Sequence, residues 1–177
     1  EGGMITTNNK KLNDKIRMFK SFGKENNEFN EIGTNYKMSD INSSIGIVQL
    51  KKIEKIIKNR QKMAKIYSEI LEKMEYIELQ EATKSSRHTY QTFVCVITKP
   101  NFRNKIILKL SQENIETQIG TYALHCLPAF KKCLKADNLI NSEYLYNNSL
   151  SLPLHENLSI EEQQRVCKSI EKILKNT

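Results

Sequence analysis

Three histidines and one neighbouring cysteine stand out in this 177-residue sequence as side chains that could do acid–base, nucleophilic or metal chemistry. The histidines are His88, His125 and His155, and each falls in or beside a predicted loop or strand end. An imidazole titrates near neutral pH and can transfer protons, although a packed or hydrogen-bonded ring is the commoner role of a lone histidine. His125 precedes Cys126, which would suit a thiolate nucleophile or a pair of metal ligands. No further ligand follows at the spacing of a zinc site, so the sequence predicts no metal site.

Aromatic and basic residues are the other side chains that could bind a ligand. Tyr90 and Tyr122 flank predicted strands and could stack on a sugar or a base, although packing is the commoner role of tyrosine. A basic series at helical spacing could track a phosphate backbone: Lys51, Lys52, Lys55, Lys58, Arg60, Lys62 and Lys65. Few aromatic residues are interleaved with it, which favours a solvated helix face. Neither GxxxxGK(S/T) nor GxGxxG occurs, so nucleotide cradles of those types are excluded.

The composition indicates a soluble globular protein with a net charge of +8, 38% hydrophobic and 27% charged residues. No apolar run approaches the roughly 20 residues needed to cross a bilayer, so we expect no membrane-spanning segment. The positive charge would suit an anionic partner, although diffuse surface charge is the simpler interpretation. Four cysteines at irregular spacings predict reduced thiols and a cytoplasmic location. The chain begins at Glu1 without signal-peptide features, and we expect it to be a piece of a longer protein.

The beginning of the chain predicts a strand, a helix and a long loop. Residues 4–7 favour a short strand, and Asn8 or Asn9 can cap the helix that follows. Residues 21–36 contain glycines and asparagines without sustained periodicity, which indicates an exposed loop. The apolar face of the helix is formed by Leu12, Ile16 and Phe19.

A long helix is predicted next. Ser39 can cap it, and apolar residues recur at helical spacing through residues 40–74. A continuous helix there would be on the order of 50 Å long, which predicts either a coiled-coil arm or a helix that bridges two domains. The domain boundaries therefore fall at about residues 38 and 74.

The remaining residues predict a domain in which strands and helices alternate. We expect an edge strand at residues 76–79 and a central strand at residues 89–97, where β-branched and aromatic residues alternate with period two. Ser159 and Glu162 form a capping box at the start of the last helix. The other predicted elements are helices at residues 102–113 and 138–148, strands at 115–119 and 150–152, and a loop at 120–132. This pattern predicts an α/β sandwich.

Four segments of the chain resemble, in order and spacing, the motifs of one enzyme family. Residues 33–46, GTNYKMSDINSSIG, are similar to its GxNxRMxDxQAAxG signature, and residues 1–7, EGGMITT, are similar to its GEGGMVxT strand. Residues 114–130 contain matches to its GIxTxxHYxxxHxxPAY segment, and residues 151–159 match its SLPLHPxLSxxD ending. With these motifs the chain resembles the DegT/StrS family of pyridoxal-phosphate-dependent sugar aminotransferases.

The resemblance implies the C-terminal part of a fold-type-I, pyridoxal-phosphate-dependent transferase. Residues 1–38 would be the end of the large cofactor-binding domain, and residues 39–74 would be the helix between the domains. Residues 75–177 would then form the small C-terminal domain, a small mixed or antiparallel sheet covered by helices.

The resemblance also implies roles for particular residues. Asn35 matches the asparagine that reaches the cofactor phosphate of the neighbouring subunit in a homodimer, although it could instead only support a turn. His125 matches the family's second histidine, Tyr122 follows a threonine where the family has His-Tyr, and His88 and Tyr90 would border the sugar nucleotide. Lys37 replaces the usual arginine, which weakens any bidentate contact with an anion.

The implied reaction transfers an amino group, usually from glutamate, to the keto carbon of a nucleotide-linked deoxysugar for cell-surface polysaccharide or glycoconjugate synthesis. The lysine that forms the Schiff base with pyridoxal phosphate would lie upstream of Glu1, so we expect no catalytic residue on this chain and no activity from it alone. Two other interpretations stay open. One is a non-catalytic basic binding module that retains the fold, and the other is the product of a split gene that pairs with a separate polypeptide.

Overall fold

The computed structural model describes residues 2–83, 85–133 and 137–175, so Glu1, the first residue of one family-like motif, lies outside the described residues. The chain divides into two compact units, the first ending at Glu54 and the second beginning at Lys55. Helices and small antiparallel sheets occur together, which confirms the predicted mixed α/β class. Within the described ranges, every helix is too short or too polar to span a membrane.

The first unit begins with helix α1, Lys10–Phe19. Asn9 caps it, because its Oδ1 accepts a hydrogen bond from the Leu12 N–H at 3.1 Å. The strand predicted at residues 4–7 is not formed, since no described strand lies beside these residues to pair with them. Met4 and Ile5 are exposed instead.

The predicted loop at residues 21–36 is exposed for most of its length but contains a hairpin that the sequence analysis missed. Its strands are β1, Lys24–Glu25, and β2, Glu28–Phe29. Asn26 and Asn27 between them have φ values of 50° and 65°. Two consecutive left-handed residues form the type I′ turn that joins tight hairpins, and asparagine tolerates that conformation better than most residues.

Helix α2, Asp40–Leu71, is the predicted long helix and extends over 32 residues. Ser39 caps it by accepting a hydrogen bond from the Asn42 N–H at 3.3 Å. The helix ends before the predicted residue 74, where the Met74 N–H closes a final turn onto the Leu71 carbonyl at 3.0 Å. The division between the two units falls within α2, so this helix contributes residues to both.

The second unit contains a four-stranded antiparallel sheet in the order β3-β4-β6-β5. The predicted edge and central positions of β3 and β4 are confirmed. Strand β4 begins four residues later than predicted, because Tyr90 has φ 46° and cannot continue an extended strand. The strands are β3 (Ile77–Leu79), β4 (Phe93–Ile97), β5 (Gln118–Ile119) and β6 (Ser149–Leu152).

Besides its part of α2, the described residues of this unit form helices α3 (Phe102–Gln112), α4 (Ile140–Asn148) and α5 (Ile160–Lys175). The capping box of α5 is confirmed, since the Ser159 N–H donates to Glu162 Oε2 at 2.8 Å and the Glu162 N–H donates to Ser159 Oγ at 3.1 Å. The predicted loop at residues 120–132 contains two short 3₁₀ turns, Leu124–Cys126 and Pro128–Phe130.

One face of the sheet packs into the hydrophobic core with residues of α2, α3 and α5. Cys95 on β4 pairs across the sheet with Leu150 on β6, and both are fully buried. Burial raises the pKa of Cys95 and of Cys167 on α5 to about 12. These two thiols therefore stay protonated at neutral pH and are packing residues rather than nucleophiles.

Candidate functional site

The loop that carries Asn35 is held by two glycines whose backbones touch. A Cβ atom placed on Gly33 would overlap the backbone of Gly23, and one placed on Gly23, at φ 74°, would overlap the Glu31 carbonyl. Only residues without a side chain permit this approach. The Phe22 N–H donates to the Thr34 carbonyl and the Tyr36 N–H donates to the Lys20 carbonyl, each at 3.0 Å, which fixes the backbone on both sides of Asn35.

Asn35 itself is an exposed residue of this loop. Its backbone forms an isolated antiparallel bridge with Ser21. Its Oδ1 accepts a hydrogen bond from the Lys37 N–H at 3.4 Å, while the Nδ2 group has no acceptor among the described residues. An uncharged amide with two available donor hydrogens on a fixed loop fits the oxygens of a phosphate group.

His88 and Tyr90 form a compact pair in the second unit. Their ring centroids are 4.2 Å apart, and the Tyr90 N–H donates to His88 Nδ1 at 2.9 Å. Because Nδ1 accepts this bond, the neutral imidazole carries its proton on Nε2. Gln61 of α2 anchors the segment by donating to the His88 carbonyl at 2.9 Å. The left-handed φ of a bulky Tyr90 costs free energy, and such strain concentrates at functional positions.

Tyr122 and His125 lie on the segment that follows β5. The Tyr122 ring is exposed and lies 5.8 Å from the Tyr146 ring of α4. His125 is half-buried in the first 3₁₀ turn, and its Nε2 is buried without a hydrogen-bond partner among the described residues. An orphaned nitrogen of this kind can bind a ligand atom.

His125, Cys126 and Glu143 are the three groups in the described part of the chain that could hold a metal ion. Their ligand atoms all lie within 4.8 Å of one another. The sequence analysis paired His125 with Cys126 but missed Glu143, which α4 brings to them from a distant position in the chain. Three ligands from these residue types are compatible with zinc. The absence of a metal site stays a prediction.

A cavity of about 580 Å³ is a further candidate that the sequence analysis missed. Residues 114–120, residues 151–153 and His155 line it, and they belong to two of the family-like motifs. Thr117 is only 9% exposed, and its Oγ1 has no hydrogen-bond partner in the described ranges. Tyr67 of α2 fixes the wall by donating from its hydroxyl to the Pro153 carbonyl at 3.0 Å. The two motifs come together here because strand β5 pairs with strand β6 in the sheet.

Comparison with known proteins decides which family these features belong to. Residues 1–171 match the DegT/DnrJ/EryC1/StrS aminotransferase family. The chain belongs to this family. The resemblance drawn from the four motifs is therefore confirmed.

Relatives of this DegT/DnrJ/EryC1/StrS chain include a UDP-4-amino-4,6-dideoxy-N-acetyl-beta-L-altrosamine transaminase from Campylobacter jejuni, which is 29% identical over 98% of this chain and 48% of its own length. The structure of Helicobacter pylori PseC, an aminotransferase involved in the biosynthesis of pseudoaminic acid, has a TM-score of 0.83 and 24% identity over 97% of this chain and 48% of that one. The PLP-form of a putative sugar aminotransferase from Streptococcus pneumoniae has a TM-score of 0.82 and 19% identity, over 96% and 45%. The chain spans about half the length of the curated relatives it matches.

The DegT/DnrJ/EryC1/StrS motifs coincide with the structural features described above. The 33–46 motif contains Gly33 and Asn35, and two others line the cavity beside Thr117. Of the predicted site residues, Asn35 lies in the first unit, whereas His88, Tyr90, Tyr122 and His125 lie in the second. The ring of His88 contacts the ring of Tyr90. The ring of Tyr122 contacts that of Tyr146, which is not one of the predicted site residues.

Proposed function

We propose that the protein is a pyridoxal-phosphate-dependent aminotransferase that transfers an amino group from glutamate to the keto carbon of a nucleotide-linked deoxysugar. Membership of the aminotransferase family is the observation that carries this proposal. The name of the Campylobacter relative, a transaminase of a UDP-linked amino sugar, supports the substrate class. We propose that the reaction takes place in the cytoplasm. Its products would be used to synthesise cell-surface polysaccharides or glycoconjugates.

Asn35 is the proposed cofactor-binding residue. The Nδ2 group would donate to a phosphate oxygen of pyridoxal phosphate. The Oδ1 atom meanwhile accepts from the Lys37 N–H and so supports the turn of the loop. When bound, the cofactor supplies an electron sink that stabilises negative charge on the substrate carbon. We propose that Asn35 serves the cofactor of the neighbouring subunit in a homodimer, as the family resemblance implies.

His88, Tyr90, Tyr122 and His125 are the proposed contacts with the sugar nucleotide. His88 can donate from Nε2, since its Nδ1 is occupied by the Tyr90 N–H. His125 can accept or donate at its orphaned Nε2. The exposed Tyr122 ring can stack on the apolar face of a sugar.

We also propose that the cofactor-attaching lysine belongs to protein outside these 177 residues, so that the residues alone do not catalyse the reaction. Exposed apolar side chains in the first unit support the presence of further protein, because monomeric domains rarely leave such residues clustered at the surface. They lie on residues 4–5, on α1 and on the beginning of α2: Met4, Ile5, Leu12, Phe19, Ile41, Ile45, Ile47, Val48 and Leu50.

A coupled amino-transfer assay tests the proposed function. The full-length protein, supplied with pyridoxal phosphate, glutamate and UDP-, GDP- or dTDP-linked keto-deoxysugars, is expected to form 2-oxoglutarate and an amino sugar in equal amounts with at least one substrate. The 177-residue chain alone is the matched control and is expected to form neither. The absence of product from the full-length protein with every ketosugar would contradict the proposal.

A basic binding module is the second candidate. Its support is a groove on α2 lined by Lys55, Lys58, Lys62 and Lys65, all exposed. The Nζ atom of Lys65 lies 3.7 Å from Oε1 of Glu69, so this carboxylate offsets part of the positive charge of the groove. Family membership favours the aminotransferase over this alternative. Lysines at helical spacing are also explained by a solvent-exposed helix face, without any binding partner.

A further inference from the structure

Arg103 is a buried cation without a buried anion beside it. It is the second residue of α3 and is 5% exposed. One guanidinium nitrogen donates to the Ser149 carbonyl at 3.1 Å, and the buried Nε has no hydrogen-bond partner among the described residues. The described part of the chain also contains no carboxylate in an ion pair with Arg103.

This position is unfavourable for a lone positive charge. Burial removes the guanidinium from water and lowers the pKa of Arg103, with the nearby Tyr146 and Tyr122 partly opposing that shift. Arginine nevertheless remains protonated in proteins, so it cannot avoid the desolvation cost by losing its proton. The amino end of α3 adds to the cost, because the helix dipole places partial positive charge there. Such a group requires a compensating negative charge.

The space next to Arg103 has the chemistry of an anion site. A cavity of about 460 Å³ is lined by Arg103 and by four asparagines: Asn101, Asn104, Asn147 and Asn148. None of its lining residues carries a carboxylate. Asn101 has φ 63° and makes no side-chain capping bond to α3, so its amide group does not occupy the first turn of this 11-residue helix.

We propose that this cavity binds a phosphate-type oxyanion, with Arg103 as its counter-charge. The hydrogen-bond donors would be the amides of Asn101, Asn104 and Asn147 and the first turn of α3 beyond Phe102, because Asn148 Nδ2 already donates to the Tyr144 carbonyl at 2.8 Å and the Phe102 N–H to the Lys99 carbonyl at 3.3 Å. Helix amino ends and arginine side chains are both established ways to hold phosphate oxygens. Free inorganic phosphate and the phosphoryl groups of a nucleotide share this chemistry. The site does not depend on the proposed amino transfer.

Thermal unfolding of the full-length protein, saturated with pyridoxal phosphate, against increasing inorganic phosphate or UDP tests this site, with sodium chloride at equal ionic strength as the salt control. We expect the wild-type Tm to rise saturably, by about 3 to 4 °C at a ligand concentration 100-fold above Kd, because a chain about twice as long as these residues has a correspondingly large unfolding entropy. The Arg103→Met variant should show no rise with phosphate and, with UDP, only the rise that the proposed sugar-nucleotide site contributes. Without ligand its Tm should equal or exceed that of the wild type, because the Ser149 carbonyl keeps the Gly120 N–H as a donor at 3.1 Å.

Two further variants keep the test decisive if Arg103→Met fails to fold. Lys109→Met removes a positive charge from the same helix outside the cavity and should retain the wild-type rise in Tm. Asn104→Asp places a carboxylate in the cavity, and we expect it to raise the ligand-free Tm and abolish the rise with phosphate. If the part of the Tm rise that Arg103→Met removes begins at a lower concentration of UDP than of phosphate, a nucleotide is the source, and the reverse order identifies free phosphate. An unchanged wild-type Tm with phosphate, or an equal rise with phosphate in the wild type and Asn104→Asp, would overturn the proposal.

Discussion

The Gly33→Ala variant is expected to lose about a hundredfold or more of the hydrogen-exchange protection in the loop that carries Asn35. The added methyl group would overlap the backbone of Gly23 and Phe22, and no flexible side chain lies there that could move aside. Backbone displacement and strain of this kind cost of order 1–3 kcal/mol at each strained residue. The amides to follow are Phe22, Thr34 and Tyr36, whose N–H groups donate across the loop.

Gly46→Ala is the matched control for this experiment. Gly46 lies within α2, and a Cβ atom added there would meet nothing within 4 Å. Alanine favours a helix interior over glycine, so this variant should gain about 0.5–1 kcal/mol in stability and leave the loop amides protected. Equal loop protection in Gly33→Ala and Gly46→Ala would show that the contact between Gly23 and Gly33 does not hold the loop.

Tyr67→Ala is expected to destabilise the second unit by about 3–5 kcal/mol, the usual cost of deleting a large buried aromatic side chain. Tyr67 is fully buried, its ring centroid lies 5.1 Å from that of Phe93, and its hydroxyl reaches the Pro153 carbonyl. Truncation therefore removes the contact between α2 and β4 together with the support for the cavity wall at Pro153. Urea unfolding followed by circular dichroism measures the change.

Tyr67→Phe separates the packing of this ring from its hydrogen bond. The variant keeps the ring and leaves the Pro153 carbonyl without the hydroxyl donor, which costs about 1–3 kcal/mol if no water replaces it. We expect its unfolding midpoint to fall between those of the wild type and Tyr67→Ala. If Tyr67→Ala lowered the free energy of unfolding no more than Tyr67→Phe does, packing of the Tyr67 ring would not contribute to stability.

The helices and their beginnings were predictable from the sequence because capping is local. Asn9, Ser39 and the Ser159–Glu162 box each form bonds between residues three positions apart, which a sequence displays directly. The edge and central positions of β3 and β4 were also predictable, since alternation of buried and partly exposed residues marks a covered strand.

The features that the sequence analysis missed depend on contacts between distant residues or on rare backbone conformations. Tyr90 has a positive φ that no local pattern of residue types indicates for a tyrosine. Glu143 approaches His125 only after α4 has packed, and the cavity beside Thr117 exists only after β5 pairs with β6. Arg103 falls on a helix where arginine is ordinarily exposed, and only the fold shows that it is buried.

The candidate site itself was predicted through the family resemblance rather than through residue chemistry. Histidine and tyrosine can take part in binding or catalysis, which made His88, His125, Tyr90 and Tyr122 candidates. A lone histidine or tyrosine is nevertheless weak evidence for a functional site. Asn35 carried no signal at all apart from its motif, because asparagine is common in turns. The structure adds the physical reason for its suitability, which is a backbone held on both sides and an amide nitrogen with no acceptor among the described residues.

Binding of pyridoxal phosphate to the full-length wild type and to the Asn35→Asp variant, followed by absorbance titration, tests the central claim most directly. The variant keeps an acceptor for the Lys37 N–H and replaces only the amide donor by a negative charge. If Asn35 holds the cofactor phosphate, Kd should rise tenfold or more, and Asn35→Ala should bind better than Asn35→Asp. Wild-type affinity in Asn35→Asp, with a weakened loop only in Asn35→Ala, would show that this asparagine supports a turn and does not bind the cofactor.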